Sequence, residues 1–123
     1  MVEGSKEVKS PTHDERPWGN YTVLGGGDGY QVKQIMVKPG ERLSYQRHAH
    51  RSEHWFIVMG SGEVVLDGVT RKVGVGDAVN VPIEGLHRIG NTGTDSLIFI
   101  EVQLGDYLGE DDIERLEDDF GRV

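Results

Sequence analysis

The chain has 123 residues, of which 36% are hydrophobic and 28% charged, the length and balance of one soluble domain. It contains no cysteine, which excludes disulfides, thiolate metal sites and a cysteine nucleophile. The 13 basic and 21 acidic residues give a net charge of −8, which argues against nucleic acid or an anionic membrane as a partner. Because no apolar run approaches the roughly 18 residues that span a bilayer, and no signal peptide is visible, we expect a cytoplasmic protein.

The acidic charge is concentrated at the C-terminal end. Residues 101–123 carry nine acids and two bases, a net charge of −7 that leaves only −1 for residues 1–100. The body of the chain is therefore nearly neutral, and such a body can still hold a local basic pocket for an anionic small molecule.

Short runs with strand-like composition follow one another, separated by turn signals about every eight to twelve residues. We expect residues 1–15 to form a flexible lead-in and residues 16–123 to form a single domain. Asp67-Gly68, which lies between two alternating runs, predicts a two-residue hairpin. The predicted strands are Asn20–Leu24, Tyr30–Lys38, Leu43–His50, Glu53–Met59, Glu63–Leu66, Val69–Val73, Ala78–Val81, His87–Asn91 and Leu97–Leu104.

The number of short strands predicts a sandwich or closed barrel, because open sheet edges would promote aggregation. The last segment differs from the rest. Glu110–Asp119 spaces Ile113, Leu116 and Phe120 three and four positions apart and has acids in its first turn, which predicts a short amphipathic helix. The expected fold is all-β and antiparallel, with a short C-terminal helix.

Three of the five histidines fall within seven consecutive positions. Gln46, His48 and His50 share one face of a predicted strand, because side chains alternate along a strand. Glu53 opens the next predicted strand and His87 begins a later one, so that neighbouring strands can bring these ligands to one ion. Imidazole, carboxylate and amide groups suit Zn, Mn, Co, Ni or Fe better than Ca. The alternative is a group of surface histidines at a polar strand end.

The spacing of these residues resembles the two motifs of the cupin superfamily, whose fold is a jelly-roll barrel. The matching positions are Gly40, Gln46, His48, Glu53 and Gly60 in the first motif, and Gly76, Pro82, His87 and Asn91 in the second. Two departures are visible: Gln46 stands where the first histidine is usual, and Gly85 falls one position late. In this register the resemblance implies one divalent metal ion held by Gln46, His48, Glu53 and His87.

A competing register uses His48 and His50 as the paired histidines of the first motif. It leaves only two residues before Glu53 and displaces Gly40, so it fits less well. In the preferred register His50 lines the pocket instead of binding the metal.

Longer stretches resemble type II mannose-6-phosphate isomerase, here as a stand-alone domain. That family often forms the C-terminal part of bifunctional mannose-1-phosphate guanylyltransferases, and its metal ligands are Gln, His, Glu and His. The chain has no glycine-rich nucleotide-binding loop and no room for one, so nucleotide transfer is not expected of it. The matching stretches are Arg16–Gly19, Gln31–Lys33, Gln46–Trp55, Ile100–Gln103 and Tyr107–Ile113.

The resemblance implies interconversion of mannose 6-phosphate and fructose 6-phosphate through an enediolate. This reaction requires a Lewis acid at the sugar oxygens, a base for the carbon-bound proton and a clamp for the phosphate. The candidate bases are His50, His54 and Glu101. An inward-facing Glu101 in its apolar run would have a raised pKa, as a general base needs.

The candidate substrate-binding residues are cations for the phosphate and aromatic residues for the sugar. Arg51, Lys33 and Arg88 are the predicted cations, and Trp18 and Tyr107 the predicted aromatic residues. The expected partners are a phosphorylated sugar and a second copy of the chain in a homodimer, with no nucleic acid and no membrane. The alternatives are a sugar-phosphate-binding cupin without activity, and another cupin enzyme such as a sugar epimerase or an iron dioxygenase.

Overall fold

The computed structural model describes residues 12–123, which form eleven strands. The described residues include no helix that is long and apolar enough to cross a membrane. All nine predicted strands are confirmed in position, with ends that differ by a few residues. The strands are β1 His13–Arg16, β2 Gly19–Gly27, β3 Tyr30–Val37, β4 Tyr45–Arg47, β5 Arg51–Met59, β6 Ser61–Leu66, β7 Val69–Gly74, β8 Ala78–Val81, β9 His87–Asn91, β10 Leu97–Gly105 and β11 Glu114–Glu117.

The predicted N-terminal lead-in, residues 1–15, falls largely outside the described residues, which begin at residue 12. Its last part, from His13, is ordered as β1 and pairs with β2.

Two antiparallel sheets form the molecule, so the all-β prediction is confirmed. One sheet has the order β11-β4-β9-β6-β7, and the other has the order β1-β2-β3-β10-β5-β8. The predicted hairpin at Asp67-Gly68 is also confirmed: Leu66 pairs with Val69, and both turn residues have positive φ angles, 47° and 82°. This is the left-handed backbone that a tight two-residue hairpin requires.

The space between the sheets is apolar at one end and polar at the other. Antiparallel pairing of β5 with β10 sets Ile57 opposite Phe99 at the apolar end and Glu53 opposite Gln103 at the polar end. Because side chains alternate along a strand, each strand that reaches the polar end contributes one or two buried polar groups. The apolar end is the core, formed by Trp18, Tyr21, Ile35, Val37, Trp55, Ile57, Val64, Val73, Val79, Val81, Ile89, Leu97 and Phe99.

The prediction of a C-terminal helix is wrong. Residues 114–117 form β11, which pairs with the exposed edge of β4 through the short ladder Glu114–Arg47 and Arg115–Gln46. The apolar residues that suggested a helix do not share one buried face, since Leu116 remains 40% exposed and Phe120 36% exposed. A helix this short is marginal by itself, and pairing with an open sheet edge satisfies the backbone instead.

Candidate functional site

Glu53 lies at the centre of a buried cluster in the polar end of the barrel. Its Oε2 is 3.1 Å from His48 Nε2, and its Oε1 is 3.7 Å from His87 Nε2. The ligand atoms of these three residues all lie within 4.8 Å of one another. Ligands about 2.1 Å from a common ion are themselves roughly 3–4 Å apart, so the cluster has the dimensions of a metal site.

The two histidines are oriented by backbone carbonyls. His48 Nδ1 is 2.6 Å from the carbonyl oxygen of Asp112, and His87 Nδ1 is 2.8 Å from that of Gly85. A carbonyl can only accept, so each Nδ1 carries the proton and each Nε2 has a lone pair toward Glu53. His87 Nε2 is buried without a hydrogen-bond partner among the described residues. Burial also lowers the pKa of His87 against the pull of Glu53, which favours the neutral imidazole that binds metal.

Gln46 supplies the fourth group. It lies directly opposite His87 in the pairing of β4 with β9, so both side chains point into the barrel. Its Oε1 accepts a hydrogen bond of 3.0 Å from Ser44 and keeps a second lone pair. Two imidazoles, a carboxylate and an amide oxygen fit a divalent transition metal, and the orphaned His87 Nε2 fits the same interpretation.

Glu53 is ionised despite its burial. Trp55 Nε1 donates to its Oε1 at 3.0 Å, and Arg51 donates to its Oε2 through Nε at 2.9 Å and Nη2 at 2.8 Å. Burial by itself raises the pKa of Glu53, but its polar and charged neighbours, among them the guanidinium of Arg51, outweigh burial and hold the pKa well below its usual range. The cluster therefore contains a permanent negative charge that a cation can share.

Asp112, which was not among the residues predicted for the site, holds the loop that carries His48. Its carboxylate accepts the backbone N–H groups of Ala49 and His50 at 2.9 Å each, while its own carbonyl accepts from His48. Its pKa is lowered because these two backbone hydrogen bonds outweigh the effect of burial. The only signal for it lay in the Tyr107–Ile113 match, since the contact joins positions more than 60 residues apart.

Glu101 faces inward on β10 and is 4% exposed. It lies opposite Lys33 on one side and Trp55 on the other, and its Oε2 accepts a hydrogen bond of 2.5 Å from Gln103. Burial, reinforced by the charge of Glu53, raises the pKa of Glu101 to about 8. A carboxyl that changes protonation state near neutral pH can both take up and return a proton.

The raised pKa of Glu101 predicts a stability that falls as the pH rises. Between its ordinary value of 4.5 and about 8, the folded protein holds a proton that the unfolded chain has released, so the free energy of unfolding decreases over this window. Glu101→Gln should flatten this slope and stabilise the protein at pH 8 by on the order of a few kcal/mol. Urea unfolding at several pH values, with a chelator present, measures the pH dependence of the free energy of unfolding in both proteins. Equal slopes in both proteins would contradict the prediction.

The other two candidate bases lie outside the cavity. β4 ends at Arg47, so the alternation expected to align His50 with His48 stops before it. The side chain of His50 is 54% exposed beside Asp106. The ring of His54 points to the outer face of its sheet, where Nδ1 is 2.8 Å from Asn80 Oδ1.

A cavity opens above the cluster, and several predicted substrate-binding residues line it. Arg51, Lys33 and Trp18 all lie on its wall, together with Glu101. Lys33 is buried, forms an ion pair with Glu110, and its Nζ stands 4.3 Å from the centre of the Tyr21 ring.

Two of the predicted substrate-binding residues do not line this cavity. Arg88 points to the opposite side of β9 from His87, as alternation requires, and its Nε donates to the carbonyl of Leu43 at 2.9 Å. Tyr107 is 47% exposed, and its hydroxyl donates to Asp111 at 2.5 Å.

The contribution of Arg16, Arg115 and Arg122 to the cavity was not predicted from the sequence. Arg16 lines it from the end of β1, and Ile113, Arg115 and Arg122 line it from the C-terminal segment. Residues 101–123 have a net charge of −7, which gave no indication that the two arginines of this segment, its only basic residues, would line a cavity.

The two-sheet barrel with a buried His, Glu and His set defines a cupin. Solved structures agree on the fold. The capsular polysaccharide assembling protein CapF from Staphylococcus aureus superposes with a TM-score of 0.76 at 20% identity, over 89% of this chain and 35% of that chain. A double-stranded β-helix protein from Klebsiella pneumoniae gives 0.69 at 19% identity, over 95% and 91% of the two chains.

The chain belongs to the mannose-6-phosphate isomerase C-terminal family, whose model matches residues 3–118. It is 48% identical over 122 residues to the alginate biosynthesis protein AlgA of Pseudomonas aeruginosa, covering 99% of this chain and 25% of that protein. It is 47% identical over 122 residues to a mannose-1-phosphate guanylyltransferase of Escherichia coli, covering 99% of this chain and 26% of that protein. The chain thus spans about a quarter of the length of these relatives.

Proposed function

We propose that this domain is a metal-dependent aldose–ketose isomerase that interconverts mannose 6-phosphate and fructose 6-phosphate. The observation that carries the proposal is the cluster of His48, Glu53 and His87, of which His48 and Glu53 line the same cavity as Glu101. Membership of the isomerase family supports the reaction class. Gln46, His48, Glu53 and His87 would hold the metal. A bound divalent cation would polarise the sugar oxygens and offset the negative charge that develops on them.

Side chains of the protein can transfer the carbon-bound proton. Isomerisation removes a proton from one carbon of the C1–C2 pair and returns one to the other, while a hydroxyl proton passes between the two oxygens, so that the carbonyl moves the opposite way. Glu101, ionised for the first half, takes up the carbon-bound proton and, once protonated, returns it to the neighbouring carbon. Lys33, which lies opposite Glu101 across the strand pair, and the hydrogen bond from Gln103 keep the carboxyl oriented for both transfers.

A coupled assay of mannose 6-phosphate conversion tests this function. We expect turnover that a chelator abolishes and that Mn, Co, Ni, Zn or Fe restores. Tight binding of the sugar phosphate without turnover under all of these conditions would contradict the proposal and favour a binding protein without activity. Oxygen consumption with iron would favour a dioxygenase. The homodimer and the cytoplasmic location stay predictions, the first of which light scattering can test.

A further inference from the structure

Four of the five cations that line the cavity have carboxylate partners, but only for Arg51 and Lys33 do those carboxylates line the cavity as well, whereas Asp14, the partner of Arg16, and Asp118, the partner of Arg122, lie outside it. Arg51 is paired with Glu53, and Lys33 is paired with Glu110. Both were predicted from the sequence, together with Arg88, to bind the phosphate, but their charges are largely compensated by the protein. A phosphate dianion is bound best by guanidinium groups whose donors remain available.

Arg115 is a cation whose guanidinium still has a donor available for a ligand. It lies opposite Gln46, which in turn lies opposite His87, so three side chains form one row across the sheet and face the interior. Arg115 Nε is buried and has no hydrogen-bond partner within residues 12–123. Burial and the nearby charges of Arg122 and Arg16 lower the pKa of Arg115 against the opposing charges of Asp118 and Glu110. Several positively charged side chains close together beside a cavity indicate a site for an anion.

Arg122 is held in place for such a role by Asp118. Arg122 Nε and Nη2 donate to the two oxygens of this carboxylate at 2.8 and 2.9 Å. The side chain of Asp118 is fully buried, and its hydrogen bonds from Arg122 lower its pKa to about 2, so the pair persists over the whole physiological range. The pairing uses one edge of the guanidinium and leaves the Nη1 donors for a ligand.

We propose that Arg115 and Arg122, with Arg16 beside them, bind the phosphate group of the substrate, which makes the C-terminal segment 110–122 part of the site. The identity of the sugar rests on the proposed function, whereas the anion site does not. The row from Arg115 through Gln46 to His87 would then set the phosphate at one end and the reacting carbons near the metal ligands at the other.

Calorimetric titration with inorganic phosphate, mannose 6-phosphate and mannose tests this site. Arg115→Gln combined with Arg122→Gln should weaken binding of both phosphates at least ~tenfold and leave the affinity for mannose unchanged. In the assay, KM should rise by a similar factor while kcat changes little. Arg115→Lys should restore part of the affinity, because the charge returns without the paired donors.

Arg42→Gln is the matched control. Arg42 donates two hydrogen bonds to Asp119, at 2.7 and 2.9 Å, and so anchors the same segment without lining the cavity. Its phosphate affinity should equal that of the wild type. Thermal unfolding checks each variant, and if the double variant is unfolded, Arg122→Gln alone is used, because its side chain is 24% exposed.

The outcomes separate the two proposals. Unchanged phosphate affinity in the arginine variants, or an equal loss in Arg42→Gln, would overturn the phosphate site even if the wild type turns over. Phosphate binding that depends on Arg115 and Arg122 in a wild type without turnover would support the site and reject the isomerase function.

Discussion

His87→Ala and His48→Ala should each leave the purified protein with little bound divalent metal and reduce turnover of mannose 6-phosphate about a thousandfold. Each substitution removes one of the two Nε2 lone pairs that face Glu53. The three groups that remain, one imidazole, the carboxylate and the weakly binding amide, hold a transition metal far less tightly than the full set of four. Metal content by atomic spectroscopy and initial rates with added Mn or Co measure both effects.

His50→Ala is the control that decides between the two registers of the first motif. Since the side chain of His50 is exposed beside Asp106, its removal should leave the metal content unchanged. A full complement of metal in His48→Ala, together with loss in His50→Ala, would mean that the ligand set is wrong.

Glu101→Gln should reduce turnover by about 10²–10⁴-fold, the usual contribution of a general base, while bound metal and phosphate affinity stay unchanged. Glutamine has the size of glutamate and can still accept the hydrogen bond from Gln103, so the cavity should keep its shape. It cannot accept a proton from carbon. Rates at saturating substrate, together with exchange of the substrate's C2 proton with solvent, measure this loss.

His50→Ala and His54→Ala provide the comparison for Glu101. Both side chains lie outside the cavity, so neither change should affect proton exchange. Normal exchange in Glu101→Gln with loss in one histidine variant would reassign the base.

The local sequence pattern was sufficient to predict most of the strands and the hairpin turn. Strands β8 and β9 begin and end at the predicted residues, and Asp67-Gly68 makes the expected turn, because strand alternation and tight turns depend on neighbouring residues. The proximity of His48, Glu53 and His87 was also predictable. Their spacing resembles a family motif, and the family model confirms that resemblance over residues 3–118.

Predictions that needed distant contacts failed or could not be made. Glu110–Asp119 has the spacing of a helix, yet it pairs as β11 with the open edge of β4, a partner that lies more than 60 residues earlier. His50 has the spacing of a strand residue, yet the backbone turns away after Arg47, where Asp112 binds the loop.

Sequence by itself determined an all-β cupin barrel with a His, Glu and His cluster, and it left Glu101 as one of three candidate bases. Only the tertiary structure decided that Glu101 faces the cluster, that His50 and His54 do not, and that Arg115 and Arg122 join the cavity. The physical reason is that strand periodicity states which side chains share a face, but not which distant strand covers that face. Which strand covers a face depends on the pairing of open sheet edges and on the need of buried charges for hydrogen-bonding or charged partners.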